Sequence, residues 1–446
     1  VKETCTARSD PPLIPPIAYG GQLTTILVMK TVLFLSAKSR GQALSATALA
    51  FARMYVAQGY DFELADLGTD GGAQHLKDTL RIKKVAFAIG MAGLTADATI
   101  PKKDGSQGNL WETLGIPFLA MFGDAPAYYF DRHVALTRAH ALLYGFPDHL
   151  MLRKRLPRIS GTMATMPPVA MSAVPFESID FAKKLDGRLL FLKNGNDAPA
   201  LVRAWQQSLQ PGVAQALIEM ADALTAGDAI DECHGTRIDD MILAYYGQCG
   251  IDIESVPRLR VLLHAHLDDY VRRIKSTLLA QTLMDFPVVI HGENWEHLDF
   301  SNKRCTFIPG SDFEHSNQMM RESLGVIDMA PNTTFALHDR VTRAFGSYTY
   351  CMTNEQQILT EALPAHHQHM TFRFNRDSIA ERVSQAIDNP RRTIEIGAES
   401  AEIFRARYTE ENFVNFTVML ADSIRQSIAV RPQGMQDFIV WPPEQL

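Results

Sequence analysis

The chain has 446 residues, 46% of them hydrophobic, too long for one ordinary core and apolar enough to pack two or three domains. Its 43 Lys and Arg against 50 Asp and Glu leave a net charge of -7, the wrong sign for affinity built on nucleic-acid phosphates, so no nucleic-acid partner is expected. The five cysteines are odd in number, scattered and never paired as C-x-x-C, which argues against a disulfide framework or zinc site and for a reducing cytoplasm.

Residues 1–28, with the Pro-rich DPPLIPP, differ in character from the rest of the chain and are expected to form a peripheral extension ahead of Met29. The run LTTILVMKTVLFLS is interrupted by Lys30 and followed by Lys38 and Arg40, short of the ~18 apolar residues a membrane span needs. TVLFLS (31–36) reads as a strand, and Leu44, Ala48, Phe51 and Tyr55 at helical spacing read as a helix stopped by Gly59. DFELADL (61–67), VAFAIG (85–90) and IPFLAMF (116–122) repeat the strand theme with helical or loop material between, as a parallel sheet requires. GTDGG (68–72) and GMAG (90–93) are turns without dinucleotide-binding spacing, and no P-loop motif occurs. The basic cluster RKRLPR (153–158) fits either a solvated surface or peripheral contact with anionic lipid head groups.

RLLFLKN (188–194) opens a second series, interrupted over 197–285 by an Ala-, Leu- and Arg-rich helical insertion. Within it, HAHLDD (264–269) has the look of a metal motif, but the surrounding apolar spacing is helical and splays His264 from His266. Strand patterns resume at 287–292, 305–310, 325–330, 348–353 and 370–374, and capping boxes Ser311 to Glu314 and Ser378 to Glu381 predict two helix starts. HHQH (366–369) reads as a solvated loop, and long helices close the array over 395–428. The expected class is therefore α/β, with domains at 29–185 and 186–430, a tail at 431–446, and a cleft between the domains.

The segment PNTTFALHDRVTRA (331–344) comes after the strand GVIDMA and leads into a helix. Free amides and the helix dipole at such a start favour an anion. His338 and Arg340 add charged donors, and Asn332, Thr333 and Thr334 neutral ones, a set suited to a diphosphate; a polar loop with His338 and Asp339 capping the helix is the plainer alternative.

IDMAPNTTFALHDRVTRAFGSYTYCMT (327–353) resembles the donor-binding segment of bacterial GT-B glycosyltransferases, in the branch that includes spore-maturation glycosyltransferase-like proteins. NLWETLGIPFLAMFGDAPAYYFDR (109–132) and VIHGENW (289–295) resemble further stretches of that family, in family order. Arg343 stands where the family usually has a ribose-holding Glu, Tyr348 where a Gly is usual, and Ala125 replaces the His of a D-H-P triplet. The resemblance implies two Rossmann-like domains facing a cleft, with an acceptor in the first and a nucleotide-diphosphate sugar, UDP- or GDP-linked, in the second. It implies donor contacts at Gly292, Trp295, Ile308, Pro309, Asn332, Thr333, His338, Asp339 and Arg340, with His338 also stabilising the leaving group. Asp124, just past a strand end and facing the cleft, is the candidate general base for the acceptor hydroxyl of an inverting transfer. Trp295 fits a core position equally well, and Asp124 before Ala125-Pro126 fits a turn. With no D-x-D triplet, no metal is expected. The acceptor is left open among glycan, protein and lipid, as are an epimerase of the same fold and a non-catalytic scaffold.

Overall fold

A computed structural model describes residues 30–39, 42–134, 136–157, 161–335 and 337–429; the expected extension over 1–28 and tail over 431–446 lie outside the described residues. Two six-stranded sheets, all parallel, organise the chain. In the first, the strand order is Asp61–Asp66, Thr31–Ser36, Val85–Met91, Phe118–Phe122, His140–Tyr144 and Thr162–Thr165. Thr31–Ser36 is buried along its whole length because helices cover both faces of a parallel sheet, which is why its sequence shows no alternation.

The second sheet runs Thr306–Pro309, Val289–Gly292, Leu189–Leu192, Gly325–Ile327, Tyr350–Asn354 and Thr371–Phe372. Counted within its own half, that order is 3-2-1-4-5-6, so the direction of winding reverses between Leu189–Leu192 and Gly325–Ile327. A crevice opens at such a reversal, beyond the carboxyl ends of the two strands, and open α/β sheets take their ligands there.

Helices Ala198–Ser208, Pro211–Thr225, Gly235–Gln248 and Pro257–Leu283 fill the stretch between the first two strands of this half and pack their own core around Trp205, Leu217, Ile242 and Leu267. Helix Glu410–Ala429 then leaves the second half. Phe413, Val414, Phe416, Leu420 and Ile424 join the core of the first sheet, Phe413 stacks on Phe51 at 5.0 Å, and Thr417 hydrogen-bonds the Tyr55 hydroxyl. Burying these apolar side chains contributes on the order of 10 kcal/mol as an upper bound. An assignment of all residues up to 430 to the second domain therefore breaks at this helix.

Both capping boxes are displaced. Helix Phe313–Glu322 is capped by Asp312, whose carboxylate accepts from the His315 amide, while Ser311 bonds His291; helix Arg376–Asp388 is capped by Asn375, which accepts from the Ser378 amide. Asp and Asn compete well for this position, and each serves as the cap in place of the Ser that the Ser-x-x-Glu spacing marked. The basic cluster is split: Arg158 lies outside the described residues, Arg155 is exposed, and Arg153 departs from a solvated surface. Arg153 is fully buried with its guanidinium on the Leu156, Pro157 and His133 carbonyls, and Arg155 pairs with Asp240.

Candidate functional site

The winding reversal of the second sheet places Lys193 and Asp328 at adjacent strand ends, each the first residue after its strand. Asp328 has no solvent exposure; its carboxylate takes His338 Nδ1 at 2.9 Å, an Arg340 Nη at 2.8 Å and the Thr353 hydroxyl at 3.2 Å. Burial alone would push the Asp328 carboxyl up, but the charges and hydrogen bonds of His338 and Arg340 outweigh it and hold the group well below the usual carboxylate range. Helix Asp339–Gly346 starts beside this knot with His338 as its N-cap residue, and His338 Nε2 lies 3.0 Å from Asp339. The imidazole thus sits between two carboxylates, while the remaining Arg340 nitrogens make no hydrogen bond among the described residues.

Lys193 is half-buried, and its ammonium has no ion pair or hydrogen bond among the described residues. Desolvation, reinforced by Arg272 and Arg340 and opposed by Asp328 and Asp124, pulls its pKa down to about 7. Arg272 comes from the long insertion helix, where its guanidinium lies 3.6 Å from Asp268 and 3.7 Å from Asp124. Asp124 belongs to the first half, on the loop after strand Phe118–Phe122, and is 49% exposed, so Arg272 spans the cleft. Lys193, Arg272 and Arg340 bring three cationic side chains together, Arg340 held by Asp328 and Arg272 by Asp268, with Asp124 facing them from the first half, an arrangement that can hold a dianion and leave a base beside it.

Beyond this set lies a cavity of about 1000 Å³. Its floor is the carboxyl edge of the first sheet, through Met91, Phe122, Asp124, Phe146 and Met166; helix Glu410–Ala429 supplies Phe416 and Met419, and the second half supplies Phe335, His338 and Asp339.

The predicted residues separate into groups. Asp124, His338 and Asp339 all line the cavity. Arg340 stands behind them on Asp328. Asn332 is buried with its amide committed, donating to the carboxylate and carbonyl of Asp268 and accepting from Lys275, so it takes no part in the cavity wall. Thr333 is buried too, its hydroxyl without a partner among the described residues. Trp295 is core: it is 2% exposed, donates to the Lys193 carbonyl and packs on Gly195. At Gly292 a Cβ would stand 2.0 Å from the Lys193 carbonyl oxygen, so this glycine permits close strand-end packing. The Ile308 carbonyl faces His291 Nδ1 at 3.3 Å, and Pro309 is exposed on the edge strand. Arg343, in the place of the family's Glu, is buried against the Phe313 ring and hydrogen-bonded to Asn317 and Ser316. His264 and His266 diverge, one on the Gly235 carbonyl and the other accepting from Trp205. Among the described residues no three His, Cys, Asp or Glu could hold a metal ion together.

The loop amides expected to meet a ligand anion meet a protein carboxylate instead. Asp148, from the first half, accepts the Thr334 amide and hydroxyl and the Phe335 amide at 2.9–3.0 Å. This latch ties the halves together beside the cavity. Asp148→Ala should remove about 1.5–3 kcal/mol of interdomain contact and loosen the cleft, read as a larger radius of gyration in small-angle X-ray scattering; an unchanged radius would show the latch to be idle.

Two parallel-sheet α/β domains facing across such a cleft, joined by a C-terminal helix that returns to the first, define the GT-B glycosyltransferase fold. The chain resembles an α-glucosyltransferase solved with UDP and a 13-mer DNA containing an HMU base, with a TM-score of 0.50 at 10% identity over 89% of this chain and 99% of that one. Sucrose-phosphate synthase from Thermosynechococcus elongatus aligns with a TM-score of 0.48 at 7% identity, covering 89% of this chain and 100% of that one. T4 phage BGT in complex with UDP and Mn2+ aligns at 0.46 and 8%, covering 90% and 100%. The likeness is one of fold. No protein-family model and no curated protein matches the sequence.

Proposed function

We propose that the protein is a glycosyltransferase that binds a nucleotide-diphosphate sugar in the crevice at Lys193 and Asp328 and transfers the sugar to a hydroxyl held against the first domain. The observation that carries this reading is Lys193 at the winding reversal, unpaired among the described residues, flanked by Arg272 and Arg340 and faced across the cleft by Asp124. In the reaction the acceptor oxygen bonds to the anomeric carbon of the sugar, the bond from that carbon to the diphosphate oxygen breaks with its electron pair, and the hydroxyl proton passes to Asp124. Lys193, Arg272, Arg340 and the start of helix Asp339–Gly346 offset the charge that builds on the departing diphosphate. His338 acts in this reading through its contact with that helix start, and no step needs a carboxylate-held metal, so chelation with EDTA should leave transfer unchanged. The DNA acceptor of one structural neighbour is not carried over, since a net charge of -7 opposes a polyanion.

The test is nucleotide-sugar binding by calorimetry across pH. UDP- and GDP-sugars carry a diphosphate whose charge is constant near neutrality, so the titrating partner is Lys193. Below pH 7 the free protein already holds the proton; above it, binding must take one up, and affinity should fall by up to about tenfold per pH unit. Lys193→Met should flatten that slope, and Arg340→Ala should weaken binding about 10- to 100-fold. A pH-independent affinity for both nucleotide sugars, unaltered in the two variants, would remove the donor site from this crevice.

A further inference from the structure

We propose that the acceptor is a small, mostly apolar alcohol or phenol, not a glycan, a polypeptide or a nucleic acid; this rests on the glycosyltransferase reading and narrows it. The wall facing the cationic set is built from the carboxyl ends of the first sheet, where sugar-binding clefts present carboxylates, amides and ring faces for hydroxyl groups. Here it presents sulfur and hydrocarbon: Met91, Met121, Met166, Met171 and Met419 line one cavity, with Phe51 and Phe416 beside them. The polar lining is the smaller part: Arg407, whose guanidinium donates to the Glu361 carbonyl, stands with Thr47, Asn412 and Asn415, and Asp124, His338 and Asp339 stand where the donor would enter.

That distribution selects a ligand. An oligosaccharide drawn into this space would give up water at each hydroxyl and meet thioether or ring in exchange, a loss no shape match recovers. An apolar body loses nothing of the kind and gains contact with soft, unbranched side chains that adapt to irregular outlines. A single hydroxyl is satisfied at Asp124, which stands on the same wall and faces Arg272 across the cleft. The volume, about 1000 Å³, sits at the upper end of what small-molecule sites enclose, enough for a fused-ring or isoprenoid alcohol with room left for the donor sugar. The reaction is unchanged: the apolar partner's oxygen bonds to the anomeric carbon, the diphosphate leaves with the bonding pair, and the hydroxyl proton moves to Asp124.

The experiment titrates the whole protein with 7-hydroxycoumarin by fluorescence, with maltotriose as the polar competitor, and measures UDP- and GDP-sugar binding separately in the same preparations. Met166→Glu places a carboxylate in the wall, and Met419→Glu does so from a position 52% exposed on the returning helix, where folding is least disturbed. The coumarin should bind wild type, bind about tenfold more weakly in each Glu variant, and resist displacement by maltotriose, while Met166→Leu retains it and nucleotide-sugar affinity stays the same throughout. No coumarin binding by wild type, equal binding in the Glu variants, or displacement by maltotriose overturns the acceptor class. If nucleotide sugars still bind in that event, the donor reading survives and only the acceptor proposal falls; if they also fail, the fault lies in the donor reading.

Discussion

Asp124→Asn should slow sugar transfer roughly 100- to 10,000-fold, the span over which a positioned general base accelerates such steps, while donor affinity changes little. The side chain lines the cavity on the loop after Phe118–Phe122, half exposed and within 3.7 Å of Arg272. Asparagine keeps the shape but cannot accept the acceptor's proton, so the loss should fall on kcat. Arg272 keeps its second carboxylate, Asp268, so the cation stays in place and nucleotide-sugar binding serves as the internal control. Single-turnover measurements at saturating acceptor would read the effect; undiminished turnover would return Asp124 to the role of a turn residue.

Asp328→Ala should be the most destabilising single change in the second domain, at about 3–5 kcal/mol. It strips a fully buried carboxylate from a guanidinium and an imidazole at once, leaving Arg340 without its anion inside the protein. The contribution has a predictable acid limit. Because the folded-state pKa is depressed, the stabilisation is complete above the unfolded value of about 4 and is lost as pH falls from there toward the folded one. Urea unfolding of wild type and variant should therefore differ most near neutrality and converge in acid. A constant gap down to pH 3 would mean that the pair is held by packing and not by charge.

Much of the architecture could be read from apolar runs bounded by turns, because parallel strands buried on both faces are continuous in sequence. TVLFLS needed no tertiary information. His140–Tyr144 and Thr162–Thr165 carry weaker signals, the first short and opened by a histidine, the second a mixture of Thr, Met and Ala, and sequence reading passed over both. The candidate site is legible where it is local: Asp124, His338, Asp339 and Arg340 adjoin strand ends or a helix start. Lys193 and Asp328 were hidden inside runs read simply as strands, although a charge at the carboxyl end of an apolar run was the clue. Arg272 lies in a helix whose apolar spacing reads as structural. Yet His264, Asp268 and Arg272 recur every fourth residue and share a face, a polar stripe on a helix otherwise apolar there. Trp295 and Asn332 attracted functional readings because loop polarity and aromatic rings look alike whether they meet a ligand or the protein itself.

The returning helix Glu410–Ala429 also sets an order of events during synthesis. The first sheet is translated hundreds of residues before the side chains that seal it, so a nascent chain carries Phe51 and Tyr55 uncovered while the whole second half is still being made. The amino-terminal half completes itself only after residue 429 leaves the ribosome, and until then it presents a sticky surface that chaperones would be expected to hold.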